Sequence, residues 1–539
     1  MSNSYDYIVV GAGTAGCVVA SRLAERPGTR VLLLEAGGSD MRVMIQLPIG
    51  YGRTFFDPSV NWMYDTDPIP GLGGRSSYWP RGKVVGGSGS INAMVHVRGS
   101  AHDYDDWRDL GNPGWGWQDV LPLFIKAEDS DIVEPGWRGQ GGPQHVTDIS
   151  EKVHPLCHRF IDAGASLGLP VSPDFNGSRC EGLGIFQITT RDGRRASTAN
   201  EYLRPAIRRG GIDLQTHAQA TRVLFEGTRA VGIEYRQYGR TRTARARAEV
   251  VLCGGSIASP QLLQLSGVGE GAHLAGLGIE PIHHLPGVGA NLQDHLAVSY
   301  FFGSSVPTLN DELGPLLGKV RAALNYGWNR GGPLSMSVNQ AGGFVRGTPD
   351  AERVNLQLYF SPVSYTQTPL SERRLANPDP FSAFLLSFNA CRPSSRGWLK
   401  IRSSDPAVQP QIQPNYLDTE HDIAEARQGI AMLNRISQAS PLADIITGRL
   451  VPGADVISSE DWIEDFRQRA DTVYHPSSTC MMGPDRASAV VDHRLKVHGL
   501  QGLRVADSSI FPTVTSGNTN APTVMVGEKA AQMLSEDAL

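Results

Sequence analysis

Residues 5–36 read YDYIVVGAGTAGCVVASRLAERPGTRVLLLEA, and the order of their parts decides the fold. An apolar strand over Ile8–Val10 meets Gly11-Ala-Gly13-Thr14-Ala15-Gly16. A helical pattern (Val18, Val19, Leu23) follows, then a second strand, Val31–Leu34, that ends in Glu35 and Ala36. Gly11 allows the tight turn, Gly13 lets main chain approach a pyrophosphate, and Gly16 brings helix and strand close. The pyrophosphate then rests on the free N–H groups at the positive end of the helix. Glu35 stands where an acid bonds an adenosine ribose. A glycine-rich turn alone says little, but flanked by strands, helix and acid it predicts a dinucleotide site.

The rest of the composition narrows the class. A net charge of −5 and scattered arginines such as Arg204, Arg208 and Arg209 argue against a nucleic-acid partner. No run of 18 apolar residues is present, so no transmembrane segment is expected. Met1-Ser-Asn-Ser leads straight into the first strand, which leaves no room for a signal or transit peptide. The six cysteines (17, 157, 180, 253, 391, 480) include no CxxC pair, which argues against structural zinc and suits a reducing compartment. The expected location is the cytoplasm, with peripheral membrane association left open. No metal site is expected.

Residues 298–470 change grammar. Strand-like runs (Val354–Phe360, Ser382–Asn389, Trp398–Ile401) alternate with Pro-rich turns and one helical stretch, Asp422–Ile436. This predicts an antiparallel sheet carrying helices. Leu503–Asp507 and Thr523–Leu534 then return to strand and helix of the opening type. The expected fold is a discontinuous α/β Rossmann-like FAD-binding domain (1–152, 196–297 and 470–539) with an inserted α+β substrate domain (153–195 and 298–469).

A second glycine-rich stretch, GKVVGGSGSINAMVHVRG at Gly82–Gly99, lets main chain press on a flat ligand. With Gly255–Gly269 (GSIASPQLLQLSGVG), Pro286–His295 (PGVGANLQDH), Cys391–Leu417 and the final seventy residues, it makes the chain resemble the glucose–methanol–choline (GMC) family of FAD-dependent oxidoreductases along nearly its whole length. His96 departs from the family's first signature, where an aromatic residue or Ala is usual. The resemblance implies that Trp62, Val85, Asn92, Ala93, Val95 and Val223 contact FAD, beside Gly87 and the phosphate turn. Asp507 and the Asn518–Pro522 loop, with Asn520 and Pro522, are expected near its ribityl chain and pyrimidine. Some relatives attach flavin through a His at the position of Asn92. Asn cannot form that bond, so the FAD is expected to be non-covalent.

Alcohol oxidation needs an acceptor for the hydroxyl proton and one for a hydride, which flavin N5 can take. A neutral imidazole serves as general base and a carboxamide can hold the alcohol oxygen. The resemblance puts His475 on the family's active-site His and Asn518 on a second position that is His or Asn in relatives. Asn520 is expected to order its loop. His295 is expected behind or beside the site, and His96 to line the pocket or pack. Lys83 and Arg81 are read as partners of the cofactor phosphates or of exposed acids, and Cys480–Met482 as packing.

The chain is therefore read as an alcohol dehydrogenase or oxidase acting on a small-molecule alcohol. O2 or a quinone-type acceptor would reoxidise the flavin, with a lean to dehydrogenase. A hydroxynitrile lyase on the same scaffold is the alternative, disfavoured because lyase relatives carry His at the second position. A catalytically silent FAD-binding protein is disfavoured because both positions are competently filled.

Overall fold

A computed structural model describes residues 4–367 and 377–538. In it the opening stretch forms strand Ser4–Val10, helix Thr14–Leu23 and strand Val31–Leu34. The two strands pair in parallel, with Tyr7 opposite Val31 and Val10 opposite Leu34. Ile8, Val9, Leu33 and their neighbours are fully buried, as expected of a parallel strand covered on both faces. The complete sheet runs Ile212–Gln215, Val31–Leu34, Ser4–Val10, Arg240–Leu252, Arg229–Gln237, Ala218–Glu226, and Leu503–Val505 pairs in parallel with the end of Arg240–Leu252. The chain's last strand thus joins the same sheet as its first ones, and the Rossmann-like domain is discontinuous.

The final helix, Asn520–Glu536, packs on the first. Arg22 and the fully buried Glu528 pair at 2.8 Å, and the Tyr202 hydroxyl donates to the same carboxylate at 2.9 Å. Thr14 Oγ1 donates to Asn520 Oδ1 at 2.9 Å, tying the phosphate turn to the start of this helix.

A second, antiparallel sheet runs Ala341–Val345, Leu356–Ser361, Ala383–Ala390, Leu296–Ser304, Ile446–Val451. Helices Glu420–Ser437 and Leu156–Ser166 cover it through one apolar core that includes Phe160, Phe360, Phe388 and Leu433. The strands and helix expected over 298–470 appear within two residues of their predicted limits, but Trp398–Lys400 stands outside this sheet and pairs with Gln411–Gln413 in a separate two-stranded one. Ala341–Val345 (AGGFV) and the meander 218–252 were not anticipated, because small or alternating charged residues hide a strand whose partner lies across the sheet. Asp471–Thr472 pairs with Leu296–Ala297, so this short strand belongs to the antiparallel sheet.

Candidate active site

A cavity of about 1160 Å³ lies between the two sheets. The glycine turn, Glu35 and Asp507 wall one end, and His475 and Asn518 lie in the same wall as Phe301, Tyr359 and Ser387 of the antiparallel sheet.

The turn is built for close contact. Gly11 has φ +99°, and a Cβ there would sit 2.5 Å from the Cys253 carbonyl oxygen. A Cβ on Gly16 would lie 1.9 Å from the Gly11 carbonyl oxygen, so this glycine serves helix packing. Gly13 differs. Its φ is −74°, and a Cβ would approach no protein atom closer than 3.8 Å, leaving room beside the uncapped helix start. A cradle that only an added Cβ would fill, next to free helix N–H groups, fits a pyrophosphate.

Glu35 accepts the Ala12 N–H (3.0 Å) and the Gly37 N–H (2.8 Å). Burial pushes its carboxyl up to about 7 against the pull of these amides. Asp507 accepts from the Gly255 N–H (2.8 Å) and Ser259 Oγ (2.6 Å), and so pins the helix Gly255–Leu265 to the end of strand Leu503–Val505. These residues fit an FAD. Glu35 would meet its ribose and the amides of Thr14 and Ala15 its phosphates.

Of the expected cofactor residues, Gly11, Gly13, Thr14, Ala15, Glu35, Ala36, Trp62, Gly87, Asn92, Ala93, Val95, Asp507 and Asn520 line the cavity. Gly16, Val85, Val223 and Pro522 do not, and lie behind its wall. Val223 is buried with its N–H on Ser266 Oγ (2.8 Å), and Ala218–Ala220 of the same strand form the surface instead. Lys83 stacks over the Trp62 ring at 4.4 Å, which gives it an aromatic partner. His96 is outside the cavity wall, buried 3.0 Å from Glu128. Cys480 is buried in the core, as expected.

His475 stands at the end of a relay of single protons. His295 Nε2 lies 2.9 Å from the Cys391 carbonyl oxygen, which only accepts, so Nε2 carries the hydrogen. Neutral His295 then offers Nδ1 as an acceptor. His475 Nδ1 faces it at 2.9 Å and must donate, which leaves His475 Nε2 unprotonated, an acceptor. Burial holds both imidazoles neutral: His295 is lowered to about 4, and His475 well below its ordinary value, with His295 and Arg81 adding to the effect. Asn518 Nδ2 is 3.1 Å from His475 Nε2, while its Oδ1 accepts from Gln357 Nε2 (3.3 Å), which orients the amide.

The backbone around His475 is held just as firmly. Tyr474 has φ +70°, a conformation that persists only when neighbours over-determine it. Arg81 Nη1 donates to its carbonyl (2.9 Å), its N–H donates to Thr472 Oγ1 (2.7 Å), and the His475 N–H donates to Asp294 Oδ1 (2.7 Å). Asp294, in turn, accepts from the Tyr416 and Thr472 hydroxyls. Asp294, Gln357 and the Cys391 carbonyl were not singled out from the sequence. The stretch PGVGANLQDH did contain Asp294 and His295, but nothing local ties them to residue 475.

Fold and site together define a dinucleotide-dependent oxidoreductase with an imidazole–carboxamide centre. The chain belongs to the GMC oxidoreductase family, whose N-terminal part matches residues 5–297 and whose C-terminal part matches residues 393–527. It is 42% identical to mitochondrial choline dehydrogenase of Mus musculus, covering 99% of this chain and 89% of that protein. It is 40% identical to an alcohol dehydrogenase [acceptor] of Pseudomonas putida, covering 98% and 95%. Among solved structures it resembles pyridoxine 4-oxidase from Mesorbium loti, with a TM-score of 0.88, 29% identity and 98% of each chain covered.

Proposed function

We propose that this protein oxidises the CH–OH group of an alcohol to an aldehyde or ketone, with His475 as general base and Asn518 positioning the alcohol oxygen. The observation that supports this most directly is the relay from the Cys391 carbonyl through His295, which leaves an unprotonated Nε2 in the cavity. Bound FAD would supply the two-electron acceptor for the hydrogen leaving carbon. An entering alcohol takes the place of the Asn518 amide on Nε2 and gives up its hydroxyl proton there. Asn518 then donates to the oxygen as negative charge develops, without titrating itself. On this reading the segments 1–152, 196–297 and 470–539 hold the cofactor, and 153–195 with 298–469 shape the substrate end.

The substrate class we infer is a neutral alcohol. A quaternary ammonium group would want an aromatic box and a carboxylate. Phe55, Tyr474, Tyr359 and Phe301 provide aromatic walls. Of the carboxylates in the wall, however, Glu35, Asp507 and Asp471 are engaged by protein donors, and Asp65 is exposed. We infer a dehydrogenase passing electrons to a quinone-type acceptor rather than to O2, in the cytoplasm; six free thiols suit a reducing compartment. The hydroxynitrile lyase alternative gains no support from the relatives named above.

The deciding experiment mixes the yellow protein anaerobically with a panel of alcohols, choline among them, and follows flavin absorbance before and after air is admitted. Bleaching by a neutral alcohol and slow recolouring in air are expected. No bleaching by any alcohol, with dithionite still effective, would overturn the proposal.

Two further results are expected. Acid precipitation should leave a colourless pellet and a yellow supernatant, since Asn92 forms no covalent flavin link; a yellow pellet would contradict this. The pH dependence follows from the neutral base. Because the His475 pKa is lowered, activity is lost only as pH falls through that lowered value. kcat/KM should therefore be flat across pH 6.5–8, and an acid limb centred at 6.5 or above would refute the buried-base assignment.

A further inference from the structure

Arg195 is a buried cation without an acid. It is 2% exposed, and among the described residues no carboxylate lies within 4.0 Å of it. Arg98 and Arg504, buried to the same degree, sit on Glu128 and on Glu249 with Asp537. Arg195 spends its donors on neutral oxygens instead. Nε donates to the Ile45 carbonyl (2.9 Å), and Nη1 to the Gly89 carbonyl (3.2 Å) and to Asn92 Oδ1 (2.7 Å). Nη2 has no partner. Burying an uncompensated guanidinium is costly, so a fold keeps one where another charge is to meet it.

Its placement says which charge. Gly87, Ser88 and Ile91–Val95 form cavity wall, and Arg195 braces that loop from behind at Gly89 and Asn92. Asn92 Oδ1 also accepts the Met94 N–H (3.1 Å), which saturates it. Asn92 itself lines the cavity, and no protein acceptor among the described residues takes its Nδ2 hydrogens. The guanidinium thus polarises the amide of a cavity-lining residue and adds a full positive charge behind the loop that forms that wall. In a water-poor interior this charge is weakly screened.

We propose that Arg195 is a positioning residue whose unpaired charge, relayed through Asn92, stabilises the negative charge a bound flavin acquires on reduction. This rests on the reading that FAD lies against the Gly87–Val95 wall. Two electrons and one proton taken up by a neutral flavin leave one net negative charge. In turnover the electrons and that proton come together from the alcohol C–H, while the hydroxyl proton goes to His475. An unpaired cation beside the ring favours the reduced state, and by the same physics favours the anionic adduct with sulfite.

The test compares purified holoenzymes of wild type, Arg195→Met, Arg195→Gln and Arg195→Lys, reading the two-electron flavin potential against a reference dye and the sulfite dissociation constant. Neither readout needs an alcohol. The uncharged variants should lose at least tenfold in the relative stability of reduced flavin, which is about 30 mV for a two-electron couple, and bind sulfite at least tenfold more weakly. Arg195→Lys keeps charge without the planar fork and should stay within threefold of wild type in both. The proposal is overturned if Met and Gln also stay within threefold, or if Lys loses as much as they do. It is equally overturned if neither uncharged variant retains FAD, because the residue is then only a brace. If these shifts occur but no alcohol bleaches the wild type, the proposed function fails and the role of Arg195 stands.

Discussion

Replacing His475 with alanine is expected to lower kcat/KM for the alcohol by about 10²–10⁴-fold, the usual worth of a positioned general base, while the protein stays yellow and folded. The size of the effect follows from how the imidazole is prepared. The Cys391 carbonyl fixes the proton of His295 on Nε2, and His295 in turn fixes that of His475 on Nδ1. The unprotonated Nε2 is therefore the resting state, and no tautomer shift precedes proton transfer. Alanine removes the only base that this chain of hydrogen bonds prepares. Steady-state kinetics with an artificial acceptor, compared with flavin reduction by dithionite, separate a lost base from a lost cofactor. A loss below tenfold, with flavin content unchanged, would mean that another group takes the proton. Replacing Asn518 with alanine should cost less, because it removes one hydrogen bond to the developing charge and leaves the base in place.

Gly13→Val should leave a folded protein without flavin. Gly13 has an ordinary extended φ, and its added Cβ would stand 3.8 Å from the nearest protein atom, so the apoprotein can accept a side chain there. The space it fills lies at the uncapped start of helix Thr14–Leu23. Blocking phosphate from two N–H groups removes two hydrogen bonds to an anion, each worth about 1.5–3 kcal/mol. That corresponds to at least about 10²-fold weaker binding. Gly11→Val makes the contrast: with φ +99° and the Cys253 carbonyl oxygen 2.5 Å from its Cβ, it should fail by destabilising the turn itself. Absorbance at the flavin band per protein, together with Tm of the apoproteins, distinguishes the two. A Gly13→Val protein that purifies with a full complement of FAD would remove the phosphate reading of the turn.

The nucleotide half was the more legible because its signals are local. Strand, turn, helix and acid lie within 32 consecutive residues, and each glycine there has a separate physical reason. The antiparallel half was legible in class but not in order. Strand Ala341–Val345 contains two glycines and is recognisable only from its ladder with Leu356–Ser361. The expected cofactor residues that do not line the cavity show the same limit. Val223 and Val85 are apolar residues in a sheet or loop beside the site, and which face of a strand reaches the cavity depends on register and twist.

What the sequence by itself determined is the dinucleotide turn and the discontinuous α/β fold with its inserted sheet; through family resemblance it also pointed to His475 and Asn518 as the candidate pair. Only the tertiary structure decided which nitrogen of His475 is left unprotonated, because that rests on His295 and the Cys391 carbonyl, 180 and 84 residues away in the chain. The same holds for Arg195, an unremarkable basic residue in sequence that becomes an unpaired charge 2.7 Å from Asn92 once the chain has folded. The physical reason is that propensity and turn chemistry act between neighbours in sequence. Desolvation, tautomer choice and charge pairing act between neighbours in space.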